Sequence, residues 1–202
     1  MSNRRVEFPA LRWVGLAWLA VWIPFYARGW GWLNFLHICD VAILLAVLGI
    51  WIESPLILSG QAVAVIVPDA MWCLDATWRL VSGHNLLGGT EYMWDKSIPL
   101  FLRLLSLYHL ALPPILLWGV ARIGYDRRGL WFGMGTFAAA LIASRIAPAS
   151  QNINFAYRDP FLGRAWGPAP IHLLVIFAGA TLLGFLPVHF VVRRIRPPVY
   201  QG

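Results

Sequence analysis

The sequence predicts an all-α polytopic membrane protein: a single transmembrane domain over residues 1–202, a bundle of about six transmembrane helices with proline-broken segments. Three observations carry this. Hydrophobic residues make up 59% of the chain and charged residues only 12%, and mean hydropathy is +0.66, more apolar surface than a soluble domain of this size needs. Apolar runs of about 20 residues, the length that spans a bilayer, follow one another along the chain. Arginines and lysines gather at the ends of those runs.

The first run, Leu11–Ala27, follows Arg4 and Arg5 in the manner of a signal peptide. It leads into YARGWGW without a small-residue cleavage site, so it reads as a retained first helix. The second, Asn34–Ile52, is pure membrane material from Val41 onward yet opens with His37, Cys39 and Asp40. The third is Pro55–Trp78, with Asp69 and Asp75 in its second half. The fourth, Ile98–Ile123, carries Arg103 one or two turns in, His109 deeper, and the pair Pro113–Pro114. The fifth, Gly129–Ala147, ends near Arg145. The sixth, Ile171–Ile195, holds His172 at one end and His189 towards the other.

If six helices alternate, one side receives Arg4, Arg5, Arg12, Arg122, Arg127, Arg128, Arg193, Arg194 and Arg196. The other receives Arg28, Arg79, Lys96, Arg158 and Arg164. Positive charge favours the cytoplasm, so both termini are expected inside, in a cell inner membrane. The net charge of +7 is then topology, and no nucleic-acid partner is implied. GxGxxG and P-loop signatures are absent, and no cofactor is expected. The two cysteines show no CxxC or zinc spacing, so neither a structural disulfide nor a metal is expected. His37, Asp40, Asp75, Asp95 and His109 are of ligand type, without a local ligand motif.

Two loops are long enough to hold structure, Arg79–Ser97 and Pro148–Pro170, and both fall on the outer side. Loops of this kind commonly carry function. Pro113 and Pro114 have no amide hydrogen and free the carbonyls of His109 and Leu110, as Pro68 does for Ala64 and Pro187 for Leu183. Beside an intramembrane histidine a freed carbonyl suggests a cavity; at Pro187 a simple kink suffices.

Placed by depth, eight ionisable residues share the outer half of the membrane: His37, Asp40, Asp69, Asp75, Arg103, His109, Arg145 and His172. Each intramembrane charge costs on the order of 3 kcal/mol, and such residues turn towards the bundle interior. The set predicts a polar chamber opening outward. His37 and Asp40 share a helical face, as do Trp72 and Asp75, and Ser106 and His109. Asp69 and Asp75 stand about 240° apart round their helix. Asp75 is therefore taken as the site residue and Asp69 as an ion-pair or interfacial residue. The plain structural alternative is a set of register-holding ion pairs, Asp40 with Arg103 and Asp75 with Arg145. His84 and His172 read as interfacial, and Cys39 as a small buried hydrophobe.

NFLHICD, IWIESP, IPLFLRLLSLYH, GYDRRGL, NINFAY and LPVHFVVRR resemble, in order and spacing over Asn34–Arg194, a bacterial family of small polytopic "membrane-associated proteins" without a settled function. By that likeness Asp40, Glu53, Asp75, Asp95, Arg103, Ser106, His109, Asp126, Arg127, Arg128, Asn152 and Asn154 match motif positions. His37 departs from the aromatic usual there, and Cys39 sits at a variable position. HIC, a mid-span histidine and NxNF before GPAP also resemble YwaF-like integral membrane proteins, relatives of intramembrane lipid acyltransferases and hydrolases. Small membrane terpene cyclases are similar in size and character.

The function expected is an intramembrane enzyme acting on a membrane lipid or isoprenoid-like substrate by Asp/His acid–base chemistry, in a chamber open to the outer leaflet. Asp40, Asp75 and His109 are the catalytic candidates. Arg103 would hold a head group, with Ser106, Asp95, Trp72, Tyr92, Asn152 and Asn154 as further substrate-binding residues and the two asparagines as a lid. Cys39 with His109 as nucleophile and base is a variant of this reading. The alternatives are a small-molecule or lipid transporter or binding protein, and an accessory subunit of a membrane complex. Small-residue stretches such as TFAAALIAS suit helix–helix contact and make a homo-oligomer possible.

Overall fold

The computed structural model describes residues 6–194. Arg4, Arg5, Arg196 and Ile195, the expected end of the sixth span, lie outside the described residues. Within them the chain is helical and contains no strand. Six rods follow the six apolar runs: α1 Leu11–Trp30, α2 Ile38–Trp51, α3 Pro55–Ser82, α4 Leu100–Ile123, α5 Gly129–Ile146 and α6 Ala169–Val192. By length and composition α3, α4, α5 and α6 can each cross a membrane, and α2 is a shorter apolar helix. Large apolar side chains such as Leu110, Trp131, Leu174 and Leu183 are more than half exposed on the outside of the bundle. So much uncovered apolar surface suits contact with hydrocarbon.

Local chemistry sets the helix ends. Ser54 caps α3 by accepting the Ile57 amide at 3.3 Å, and Pro55 follows with its φ already helical. Gly83, at φ 82°, closes α3 in the left-handed conformation that glycine adopts without strain.

α3 is the central helix, packed against α2, α4, α5 and α6. Every residue from Leu58 to Val65 is buried, as befits a helix surrounded on all sides. Its crossing with α5 is a backbone contact: a Cβ on Gly133 would lie 2.5 Å from the Gly60 carbonyl oxygen, and one on Gly129 would lie 2.5 Å from Ser59 Cβ. Small residues permit that approach.

The expected proline breaks take a milder form. Pro68 lies inside the continuous helix Pro55–Ser82, and Pro113 and Pro114 lie inside the continuous helix Tyr108–Ile123. Irregularity appears instead as a 3-10 turn in α4 at Leu105–Leu107 and a π turn in α6 at Thr181–Phe185, just before Pro187. The carbonyl that Pro113 frees finds a partner, because Cys73 Sγ donates to the His109 oxygen at 3.6 Å.

The two ends of the bundle have separate polar sets. At one, Glu53 accepts the Glu7 amide at 2.7 Å, Arg122 reaches Glu7 at 3.1 Å, Ser59 accepts the Asp126 amide, and Tyr125 bonds His189. The two long loops and the buried polar residues Asp40, Asp69, Asp75, His109, Asn154 and His172 belong to the opposite end.

Candidate functional site

Three helices bring their polar side chains together near the loop end. Asp69 of α3 is fully buried, and its Oδ1 stands 2.7 Å from Nδ1 of His109 on α4. The imidazole is held between two aromatic faces: Trp72 at 4.8 Å and 19°, and Tyr108 at 4.2 Å and 27°. Its plane and its Nδ1 partner are thereby fixed. Nε2 has no hydrogen bond among the described residues. Cys39 of α2 completes the cluster; its Sγ, an Asp69 oxygen and a His109 nitrogen all lie within 4.8 Å of one another.

Asp40, in the first turn of α2, forms a second pair. Tyr108 donates to its Oδ1 at 2.5 Å, and Asn34 donates to its Oδ2 at 2.8 Å. A carboxylate there also suits the positive end of the helix. Ser106, fully buried, bonds the Tyr26 hydroxyl at 2.8 Å. Trp72 Nε1 donates to the Tyr92 hydroxyl at 3.0 Å, which ties α3 to the long loop that follows it. Burial pushes the Tyr92 hydroxyl up to about 12.

The geometry sets Asp75 apart from the expected cluster, while Asp69, expected as an ion-pair or interfacial residue, pairs with His109. The 240° separation of the two α3 aspartates holds, and it is Asp69 that meets His109. Asp75 is buried within the turn that follows α3. Its Oδ1 accepts the amides of Leu86, Leu87 and Gly88 at 2.8, 2.6 and 3.1 Å, and its Oδ2 accepts from Asn85 at 2.7 Å and from Thr90. Three backbone amides converging on one oxygen make it the organiser of loop 83–90, not a member of the His109 cluster.

Nor do the expected ion pairs Asp40–Arg103 and Asp75–Arg145 form. Neutral donors saturate both carboxylates. Arg103 donates to the Met93 carbonyl at 2.8 Å, and Arg145 donates to the Ala156 carbonyl while lying 3.9 Å over the Tyr157 ring. Asp95 is exposed and caps its own turn. The Ser97 hydroxyl and amide hold it below the usual carboxylate range.

Asn154 does fold over α2. It accepts the Ile38 amide at 2.9 Å and donates to the Leu36 carbonyl at 2.6 Å and to Ser144 Oγ at 3.0 Å. Since His37 offers α2 no side-chain cap, a residue more than a hundred positions away supplies one. Asn152 stays within its loop, where it accepts the amides of Tyr157 and Arg158. Asn152, Asn154 and Phe155 all have positive φ, 44°, 51° and 59°, a conformation that costs asparagine less than phenylalanine. His172, expected at the interface, is buried instead. It accepts the Trp166 amide and bonds the Phe155 carbonyl, tying that loop to α6.

A cleft of about 220 Å³ runs beside this centre between α3 and α4. Trp72, Cys73, Ala76, Thr77, Leu80, Leu107 and Leu110 line it, with Met93 and Trp94 at the loop end. Leu80 and Leu110 are 74% and 53% exposed, so the cleft opens sideways onto the apolar belt. Trp72 belongs to both, forming a wall of the cleft and stacking on His109.

Sequence reasoning passed over Asp69 as a site residue and Tyr108 as a proton donor to Asp40. A helical stripe was the available signal: Asp69, Trp72, Cys73 and Ala76 recur at i, i+3, i+4 and i+7. Comparison of the chain with protein-family models, with curated proteins and with solved structures finds no match.

Proposed function

We propose that this protein is an intramembrane enzyme of bacterial lipid metabolism, acting on a lipidic or isoprenoid substrate by acid–base chemistry at the Asp69–His109 pair. The observation that carries the reading is the double role of Trp72, which lines a laterally open apolar cleft and stacks on the imidazole. A hydrocarbon chain in the cleft would bring its polar end towards the pair.

In this reading His109 Nε2 is the proton acceptor. Asp69 fixes the tautomer with hydrogen on Nδ1 and stabilises the imidazolium that forms, an arrangement that enzymes use for general base catalysis. The Asp40–Tyr108 pair, stacked against the same imidazole, is the second proton-transfer element. Arg103, whose Nε has no hydrogen-bond partner among the described residues, is the head-group anchor for a phosphate or carboxylate. The arginine asymmetry supports cytoplasmic termini in an inner membrane, with the cleft and both long loops on the outer side.

The cleft is tested with a photoactivatable fatty-acyl or isoprenoid probe. Cross-links should map to Thr77, Leu107 and Leu110, and Ala76→Trp, which fills the cleft, should remove them without unfolding the protein. Labelling spread evenly round the apolar belt, unchanged by Ala76→Trp, would count against a substrate cleft.

A further inference from the structure

We infer that Cys39, Asp69 and His109 bind one divalent transition-metal ion, zinc by the chemistry of the donors. Three helices deliver a sulfur, an oxygen and a nitrogen to within 4.8 Å of one another, all from buried residues. A second observation points the same way. Asp69 is fully buried, and its Oδ2 has no hydrogen-bond partner among the described residues. A buried carboxylate oxygen left bare is costly, and an ion would satisfy it.

The donor types select the ion. Calcium and magnesium take oxygen ligands, whereas a thiolate, an imidazole and a carboxylate together suit zinc. Three protein ligands leave a fourth tetrahedral position open, as in catalytic zinc sites. The distances fit after a small rearrangement, in which the 2.7 Å hydrogen bond between Asp69 and His109 gives way to the ion and 4.8 Å is the upper bound on the three separations. The centre of a triangle with 4.8 Å sides is about 2.8 Å from each corner, against about 2.0–2.3 Å for zinc bonds to oxygen, nitrogen and sulfur. Charge fits as well: a thiolate, a carboxylate and a dication sum to zero, so the loaded cluster brings no net charge into the low-dielectric interior. As the sulfur–metal bond forms, the thiol proton leaves for solvent, and the imidazole keeps its one proton on the nitrogen remote from the ion.

The role of the ion rests on the proposed enzyme reading; its binding does not. In the loaded protein the ion would take the Asp69-facing side of the imidazole, leave the remote nitrogen protonated, and lower the pKa of a water in its open position, so that this water and not His109 would supply the proton-transfer group.

Cobalt(II) titrated into the metal-stripped, full-length protein in lipid nanodiscs tests the site. The expected result is one equivalent per chain with a thiolate-to-cobalt charge-transfer band, displaced by zinc, lost in Cys39→Ser and retained in Cys73→Ser. Should Cys39→Ser fold poorly, Asp69→Asn and a zinc-induced rise in Tm of the wild-type protein supply the second readout. A well-folded wild-type protein without the band, or a band that follows Cys73, would overturn the inference. The two proposals can fail separately. Metal bound by the wild-type protein, with lipid turnover that survives His109→Gln, keeps the site and removes His109 as the proton-transfer group; no metal, with turnover abolished by His109→Gln, does the reverse.

Discussion

His109 Nδ1 lies 2.7 Å from Asp69 Oδ1, a bond between α4 and α3 with the aspartate wholly shielded from solvent. Removing one member of a buried pair strands the other, at a cost of about 3–5 kcal/mol. His109→Leu should therefore lower the Tm of the purified protein more than Asp69→Leu combined with His109→Leu, which leaves neither charge stranded. A double variant less stable than the single one would mean that the pair is not held as the geometry has it.

Asp75 gives a different expectation. Its carboxylate collects five donors from residues 85 to 90, and bonds to a charged acceptor are the stronger kind. Asp75→Ala should destabilise the protein by about 2–4 kcal/mol and open loop 83–90 to protease, while leaving His109 paired with Asp69. Loss of lipid turnover in an Asp75→Asn protein that resists protease normally would return Asp75 to the catalytic set.

Asn154 caps α2 from a distant loop. Asn154→Ala should cost about 1–2 kcal/mol and raise hydrogen exchange at Ile38 and the next residues of α2. Asn152→Ala should instead loosen Tyr157 and Arg158 and spare α2. Equal exchange at Ile38 in both variants would contradict the assignment of the cap to Asn154.

Asp159 titrates outside the membrane segments. The Leu162 amide, with those of Phe161 and Arg164, holds its carboxyl below the usual carboxylate range. A lowered folded value means that the contribution to stability is present above the unfolded value of about 3.9 and fades as pH falls through the folded one. Hydrogen exchange at Phe161 and Leu162 should rise below about pH 4 and lose that pH dependence in Asp159→Asn. A flat wild-type profile down to pH 2 would contradict this.

Orientation is tested with single cysteines at Ser82 and Ser150 in a Cys39→Ala, Cys73→Ala background. Both should react with an impermeant thiol reagent added from outside. Reaction only after cytoplasmic access is opened would invert the bundle and its cleft.

Much of this architecture can be read from the chain. The six apolar runs become six helices because each is bounded by charge, glycine or proline. The freed His109 carbonyl follows from Pro113 alone, though its Cys73 partner does not. Helical phase separates Asp69 from Asp75 but carries no absolute reference, so it cannot say which one faces His109. What decides is the turn after α3, where backbone amides of residues 86–88 converge on Asp75, and backbone direction in an irregular turn leaves little trace in composition. The same holds for Asp40. An arginine is the expected partner of a buried carboxylate, yet Tyr108 and Asn34 are nearer and cost less to bury.

Proton transfer at the Asp69–His109 pair on a lipidic substrate should be visible in a lipid profile. Membranes containing the wild-type protein, Asp69→Asn or His109→Gln at matched, folded levels are extracted and compared by mass spectrometry. At least one lipid or isoprenoid species should be consumed and one formed with the wild-type protein, with conversion lower by about 100-fold or more in either variant. Profiles that do not differ among the three proteins, or conversion that persists in the variants, would contradict it.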